Sequence, residues 1–124
     1  MGLFNAIMGN VSDSDIESIK KLYAPILCKD EIIERAFSHI RDKWVFTDKR
    51  LIIQNTQGVT GKKKEFFSVP YHSVECFSIE TAGSFDDDAE IKLWVKGIDN
   101  PIEINLGHGI DITEVQRIFA EHIL

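Results

Sequence analysis

The run Phe46-Thr47-Asp48-Lys49-Arg50-Leu51-Ile52-Ile53, followed by Gln57-Gly58-Val59-Thr60-Gly61-Lys62-Lys63-Lys64, constrains the fold more than any other stretch of the chain. Apolar segments flank the polar dipeptide Asp48-Lys49, and the second gives way to a loop bracketed by Gly58 and Gly61. That pattern reads as strand, tight turn, strand, loop, strand. It also holds much of the positive charge of a chain whose net charge is −6. A basic, turn-rich edge on a small β domain predicts a docking surface and not an active site.

The period-two pattern extends on both sides of this run. It begins near Glu31, where Ile33 and Phe37 alternate with Glu34 and Ser38. Trp44 to Thr47, Leu51 to Gln54, Lys64 to Val69 and Val74 to Thr81 follow as strands, with Pro70 ending the fourth. Ala89, Ile91, Leu93 and Val95 alternate with Glu90, Lys92, Trp94 and Lys96, the clearest half-buried strand in the chain. Ile102, Ile104 and Leu106 predict a seventh. Helices are expected at the two ends. From Asp13 to Ala24, Ser14 and Glu17 fit a capping box, and Ile16, Ile19, Leu22, Tyr23, Ile26 and Leu27 form the apolar face. Pro25 should kink or end that helix. Asp111 and Glu114 predict the start of a C-terminal helix whose buried stripe is Ile112, Val115, Ile118, Phe119, His122 and Ile123. Seven short-spaced strands and a closing helix predict a curved sheet or partly open barrel with one end plugged. The expected organisation is a helical extension over 1–28 and a β domain over 29–124, one structural unit.

A chain of 124 residues supports one core, and its 44% hydrophobic and 27% charged residues are ordinary for a soluble globular protein. No apolar run approaches the ~20 residues that span a bilayer, and the start lacks the features of a secretory signal. Cys28 and Cys76 give no disulfide framework and are expected to be reduced, half-buried side chains of a cytoplasmic protein. The acidic balance disfavours nucleic acid as a partner. The charge is uneven, however. Residues 41–64 carry seven cations against two carboxylates, and residues 75–103 carry eight carboxylates against two cations. Such polarity favours an anionic partner, or copies of the chain packed head to tail.

Several linked motifs carry a family resemblance. Val45-Phe46-Thr47-Asp48-Lys49-Arg50-Leu51-Ile52, Gln57-Gly58-Val59-Thr60-Gly61-Lys62-Lys63, Val69-Pro70-Tyr71, and Phe77-Ser78-Ile79-Glu80-Thr81-Ala82-Gly83-Ser84-Phe85-Asp86 stand in order, and the chain resembles the bacterial pleckstrin-homology (PH) domain family over essentially its whole length. The resemblance implies a mainly β, PH-like barrel of two bent antiparallel sheets with a C-terminal capping helix. It also implies self-assembly into ring-like homo-oligomers. Ser84 and Asp87 depart from the pattern, where a bulkier and an apolar residue are expected, so the resemblance assigns no role to the Gly83–Asp88 turn.

Candidate binding groups follow. Arg41 and Lys43, two apart on one strand face, and Lys49 and Arg50 at the next turn form a candidate anion or anionic-lipid site. Lys62, Lys63 and Lys64 are a second basic cluster, which lacks the spacing and the Ser or Thr of a phosphate-binding Walker loop. The N-terminal stripe Leu3, Phe4, Ile7, Met8 and Val11 is amphipathic at helical spacing. With the acidic turn Asp86, Asp87 and Asp88, it is the candidate oligomer interface. Asp86-Asp87-Asp88 with Glu90 lacks a calcium-loop spacing, so no metal is expected. His72 and Cys76 lack a third group for nucleophilic catalysis, and His39, His108 and His122 are scattered. No cofactor and no enzymatic activity are expected. Two functional readings stand: a non-enzymatic scaffold that binds itself and a protein partner, and a peripheral membrane module that meets anionic lipid through residues 41–64 and the N-terminal stripe.

Overall fold

The structure, a computed structural model, describes residues 13–39, 42–81, 89–106 and 112–124. The chain divides into two compact units, Met1–Ser68 and Val69–Leu124.

The first unit opens with helix α1, Asp13–Tyr23, which carries Lys20 and Lys21 in its last turn, where cations complement the helix dipole. Pro25 stops the α-helix, and the chain continues as a short 3-10 helix, Ala24–Ile26. Strands β1 (Ile33–His39), β2 (Asp42–Thr47), β3 (Arg50–Gln57) and β4 (Lys63–Pro70) form a sheet in that order. Register explains its core. Ala36 lies opposite Val45, and Val45 opposite Ile52. These three, with Ile33, pack against Ile19 and Tyr23 of α1, and Leu27 packs at the margin. The neighbouring row, Phe37, Trp44 and Ile53, lies on the opposite face, because successive residues of a strand alternate. Phe37 lies 5.2 Å from the Trp44 ring and 5.8 Å from Phe46. Residues 44–47 and 51–54 are therefore buried on both faces, as near-continuous apolar runs should be.

The second unit begins with the short 3-10 helix Tyr71–Ser73 and continues through β5 (Val74–Thr81), β6 (Ala89–Val95) and β7 (Ile102–Leu106), an antiparallel sheet in that order. Ile79, Ile91 and Ile104 line up across it. β6 alternates buried and half-buried residues throughout, as its sequence predicts. Helix α2, Ile112–Ile123, buries Ile112, Val115, Ile118 and Phe119. Phe119 stacks on Phe77 of β5 at 5.5 Å, and His122 stacks on Tyr71 at 4.3 Å. His122 and Ile123 are only half-buried.

Two expectations need correction. Cys28 and Cys76 are unbridged, but both are exposed. A register shift between Val74 and Cys76 sends Val74 inward and leaves Cys76 at the surface. Leu22 and Ile26, expected on the buried face of the first helix, are 38% and 40% exposed. Leu22 lies within the α-helix, one residue and about 100° round from Tyr23, at the margin of the buried face. The 3-10 geometry of Ala24–Ile26 then changes the helical phase, so the face that buries Ile19 and Tyr23 does not continue through Ile26.

Candidate functional site

An antiparallel meander places the basic residues at two ends of the first sheet. The β2–β3 turn, Asp48-Lys49, is at one end. The β1–β2 connection and the β3–β4 loop are both at the other. β3 has 8 residues, and at ~3.3 Å per residue its ends are roughly 23 Å apart. The basic segment 41–64 is therefore not one patch.

At the turn end, local chemistry builds a closed polar cluster. Residues 28–31 make a tight turn with Glu31 N–H donating to the Cys28 carbonyl at 3.1 Å, and Asp30 adopts a left-handed φ of 67° there. The turn folds the Glu31 carboxylate back, so that Oε1 accepts from Cys28 N–H at 2.8 Å. Thr47 donates its hydroxyl proton to Glu31 Oε2 at 2.6 Å and accepts from the backbone N–H of Lys49 and Arg50, each at 3.0 Å. Arg50 closes the cluster. Its Nε donates to Glu31 Oε2 at 2.9 Å and its Nη2 to Oε1 at 3.1 Å, a bidentate fork. The same guanidinium reaches the Ile26 carbonyl at 2.7 Å and Ser68 Oγ at 2.9 Å. Asp48 is held too: its Oδ1 accepts from Ile32 N–H at 2.9 Å, and its own N–H donates to the Ile32 carbonyl at 3.0 Å.

The Glu31 side chain is 0% exposed and that of Arg50 is 22%. Burial alone would raise the Glu31 pKa. Hydrogen bonds from Arg50, Thr47 and Cys28, with the Arg50 charge, outweigh it and pull the carboxyl down to about 2. Arg50 is thus an internal clamp joining the end of the N-terminal helical segment, β3 and β4. Of the cations named at this turn, Lys49 is the exposed one.

The loop end is open. Gly58 (φ 82°) and Gly61 (φ 69°) take left-handed backbone, and Gly61 N–H donates to the Gly58 carbonyl at 3.2 Å, closing a four-residue turn. Val59 sits at its corner, 102% exposed. Lys62, Lys63 and Lys64 follow directly and are exposed. Lys43 is half-buried at the same end, opposite Gln54. Nearby carboxylates have hydrogen-bond donors: Asp42 Oδ1 accepts from Thr56 N–H at 2.9 Å, and Glu65 Oε1 accepts from Asn55 Nδ2 at 3.0 Å. Arg41, the N-terminal stripe Leu3, Phe4, Ile7 and Met8, and the acidic turn Asp86, Asp87 and Asp88 lie outside the described residues.

Behind the sheet core, Tyr23 OH donates to Gln54 Oε1 at 2.7 Å, and Gln54 Nε2 donates to Thr56 Oγ1 at 3.1 Å. Burial raises the Tyr23 pKa, so the hydroxyl stays protonated. Phe66 of β4 meets the Tyr23 ring edge-on at 5.5 Å and is itself 37% exposed. Among the described residues, no group of three or more His, Cys, Asp or Glu could hold a metal ion. Within the same residues, no helix is long and apolar enough to cross a membrane.

Sequence reasoning missed Glu31 and Val59. Glu31 has one local partner, Cys28 N–H three residues back, but the side chains that define its role, Thr47 and Arg50, are 16 and 19 residues away. Val59 did carry one: it is the single apolar residue between Gln54 and Lys64.

Seven antiparallel strands in two sheets, a preceding helix and a C-terminal helix define a PH-like fold, whose candidate sites are surfaces and loops. The chain belongs to the bacterial PH domain family, whose profile matches residues 2–123. It is 42% identical over 121 residues to the uncharacterized protein YjqA of Bacillus subtilis, covering 97% of each chain. The crystal structure of a pleckstrin homology domain from Shewanella amazonensis matches with a TM-score of 0.79 and 42% identity, over 99% of both chains. A protein with a pleckstrin-homology domain from Shewanella loihica matches at 0.78 and 42% identity, over 87% of this chain and 92% of its own.

Proposed function

We propose that the chain is a non-enzymatic, cytoplasmic PH-like docking module that self-associates and presents its remaining surface to a protein partner. The observation that carries this reading is an apolar surface on the first unit. Leu22 and Ile26, four residues apart, are both exposed, and Leu22 adjoins Tyr23, which touches Phe66 of β4. Arg50 bridges the Ile26 backbone carbonyl and Ser68 Oγ, two residues beyond Phe66, so the chain at Ile26 lies beside β4. β4 also ends its sheet, and an eight-residue edge strand is a template for contact with another chain. Exposed apolar side chains beside such an edge favour an interaction surface. The N-terminal stripe and the acidic turn named from the sequence belong to the same proposal as further contacts. Light scattering coupled to size exclusion tests it. The full chain is expected to elute as an oligomer, and Leu22→Ser with Ile26→Ser should shift it towards monomer without unfolding it. A wild-type monomer at moderate salt would refute self-association.

A further inference from the structure

We infer that the solvent side of the second sheet is a docking face for an arginine-bearing protein segment, with Trp94 as the platform for one guanidinium and the Glu80–Glu90 pair as the seat of another. The inference rests on the reading of the chain as a docking module, and not on its self-association. Strand register builds the face. Phe77 lies opposite Leu93 on the inner side of the sheet, where Phe119 of α2 stacks on Phe77 at 5.5 Å. The residues between them in sequence point the other way. There Cys76 lies opposite Trp94, Lys92 opposite Glu103, and Glu80 opposite Glu90. Cys76, Glu80 and Glu103 are exposed, and Glu90, Lys92 and Trp94 are half-buried.

Two features of this face are unspent within the chain. Trp94 keeps a large aromatic ring on the side away from α2, and among the described residues neither its ring nor its indole N–H has a partner. An accessible tryptophan of this kind is the side chain most enriched at the centres of protein interfaces. Glu80 and Glu90, in turn, are like charges directly opposite each other on one face, an arrangement that opposes strand pairing. Lys92 reaches Glu90 Oε1 only at 3.8 Å, and Glu80 and Glu103 have no hydrogen bond or ion pair among the described residues. Charge therefore selects the occupant. An uncompensated carboxylate pair attracts a cation, and an open indole face attracts a guanidinium through its π-system. The net charge of −6 draws a basic segment to the chain as a whole. Spacing sharpens the choice. Trp94 and Glu90 are four residues apart on β6, or ~13 Å, the span of an extended segment with arginines at its first and fifth positions. Lys92 lies between them, so a cation at the middle position is repelled.

The test is calorimetric titration of the full chain with the capped peptide Arg-Ser-Gly-Ser-Arg, with acrylamide quenching of tryptophan emission to locate the contact. Trp44 is 4% exposed, so peptide-dependent protection reports on Trp94. Binding is expected to be weak, to fall with added salt, and to protect the emission. Glutamate in place of both arginines should abolish it, and a third arginine at the middle position should not strengthen it. Trp94→Leu should weaken binding about two- to fivefold. Glu80→Gln with Glu90→Gln should weaken it about five- to tenfold. Glu80→Gln alone should raise the urea midpoint of the free chain, because it removes the like-charge pair, which also shows that the variant is folded. No binding by wild type overturns the inference, as does binding that survives both Trp94→Leu and the double glutamine variant. Light scattering on the same samples reads self-association separately, and a wild-type monomer that binds the peptide at Trp94 would uphold the inference without it. A Trp94→Leu variant that dissociates an oligomer and leaves peptide binding unchanged would assign the face to a contact between copies, and would overturn the inference.

Discussion

The two ends of the four-stranded sheet carry similar basic residues and use them in opposite ways. At the β2–β3 end, Arg50 is held by a buried carboxylate, a backbone carbonyl and a serine hydroxyl. At the β3–β4 end, Lys62, Lys63 and Lys64 are exposed. In the sequence the two ends are one cationic block. In the fold, a single glutamate sixteen residues from its threonine partner makes the difference. A charge in sequence is available for binding only when the fold leaves it unpaired at the surface.

Breaking the closed end should have the largest effect. Arg50→Met leaves Glu31 buried without its countercharge, which should cost about 3–5 kcal/mol in urea denaturation. Pairing it with Glu31→Leu should recover most of that loss, because two apolar groups need no compensation. If the single and double variants unfold at the same midpoint, the cluster is not the clamp described above.

The same carboxylate predicts an acid response. The Glu31 carboxyl in the fold lies near 2, below its ordinary value of 4.5. The unfolded chain therefore takes up the proton first. The stability due to this group is complete above about 4.5 and is lost as pH falls from there through about 2. Denaturation midpoints measured across that window should fall in wild type and fall less steeply in Glu31→Leu/Arg50→Met. Equal slopes would assign the acid response to other groups.

A smaller effect is expected just behind the sheet core. Tyr23→Phe removes the hydrogen bond to Gln54 and keeps the ring contact with Phe66, so it should cost on the order of 1 kcal/mol. Gln54→Leu strands the buried Tyr23 hydroxyl and should cost more, about 1–3 kcal/mol. A reversed order would show that the ring packing, not the hydroxyl, fixes Tyr23.

The fold was largely legible in the sequence because its signals are local. Alternation at Ala89–Val95, glycines at 58 and 61 and the proline at 25 each state a backbone preference within a few residues. The register shift at Val74–Cys76 and the 3-10 segment after Pro25 were harder to read, since each changes which face a residue takes without changing the composition. The candidate site was legible only in part. The lysines could be found by charge, but their division between two ends depends on sheet topology, and the withdrawal of Arg50 depends on Glu31 arriving from the turn at Cys28.

The smallest effects on stability should fall at the open end, and that smallness is itself informative. Val59 is outside the core, and Lys63 is exposed at the start of β4. Val59→Ser and Lys63→Gln should each move the unfolding free energy by less than about 0.5 kcal/mol, as surface changes usually do. Arg50→Met, at the other end of the same strand, should exceed them severalfold. A loss above about 1 kcal/mol at Val59 would mean that the side chain is buried in solution, as it would be under a second copy of the chain, and the contrast between a closed end and an open one would fail. A loss that scales with protein concentration would separate burial between copies from burial within one, since only the former couples unfolding to dissociation.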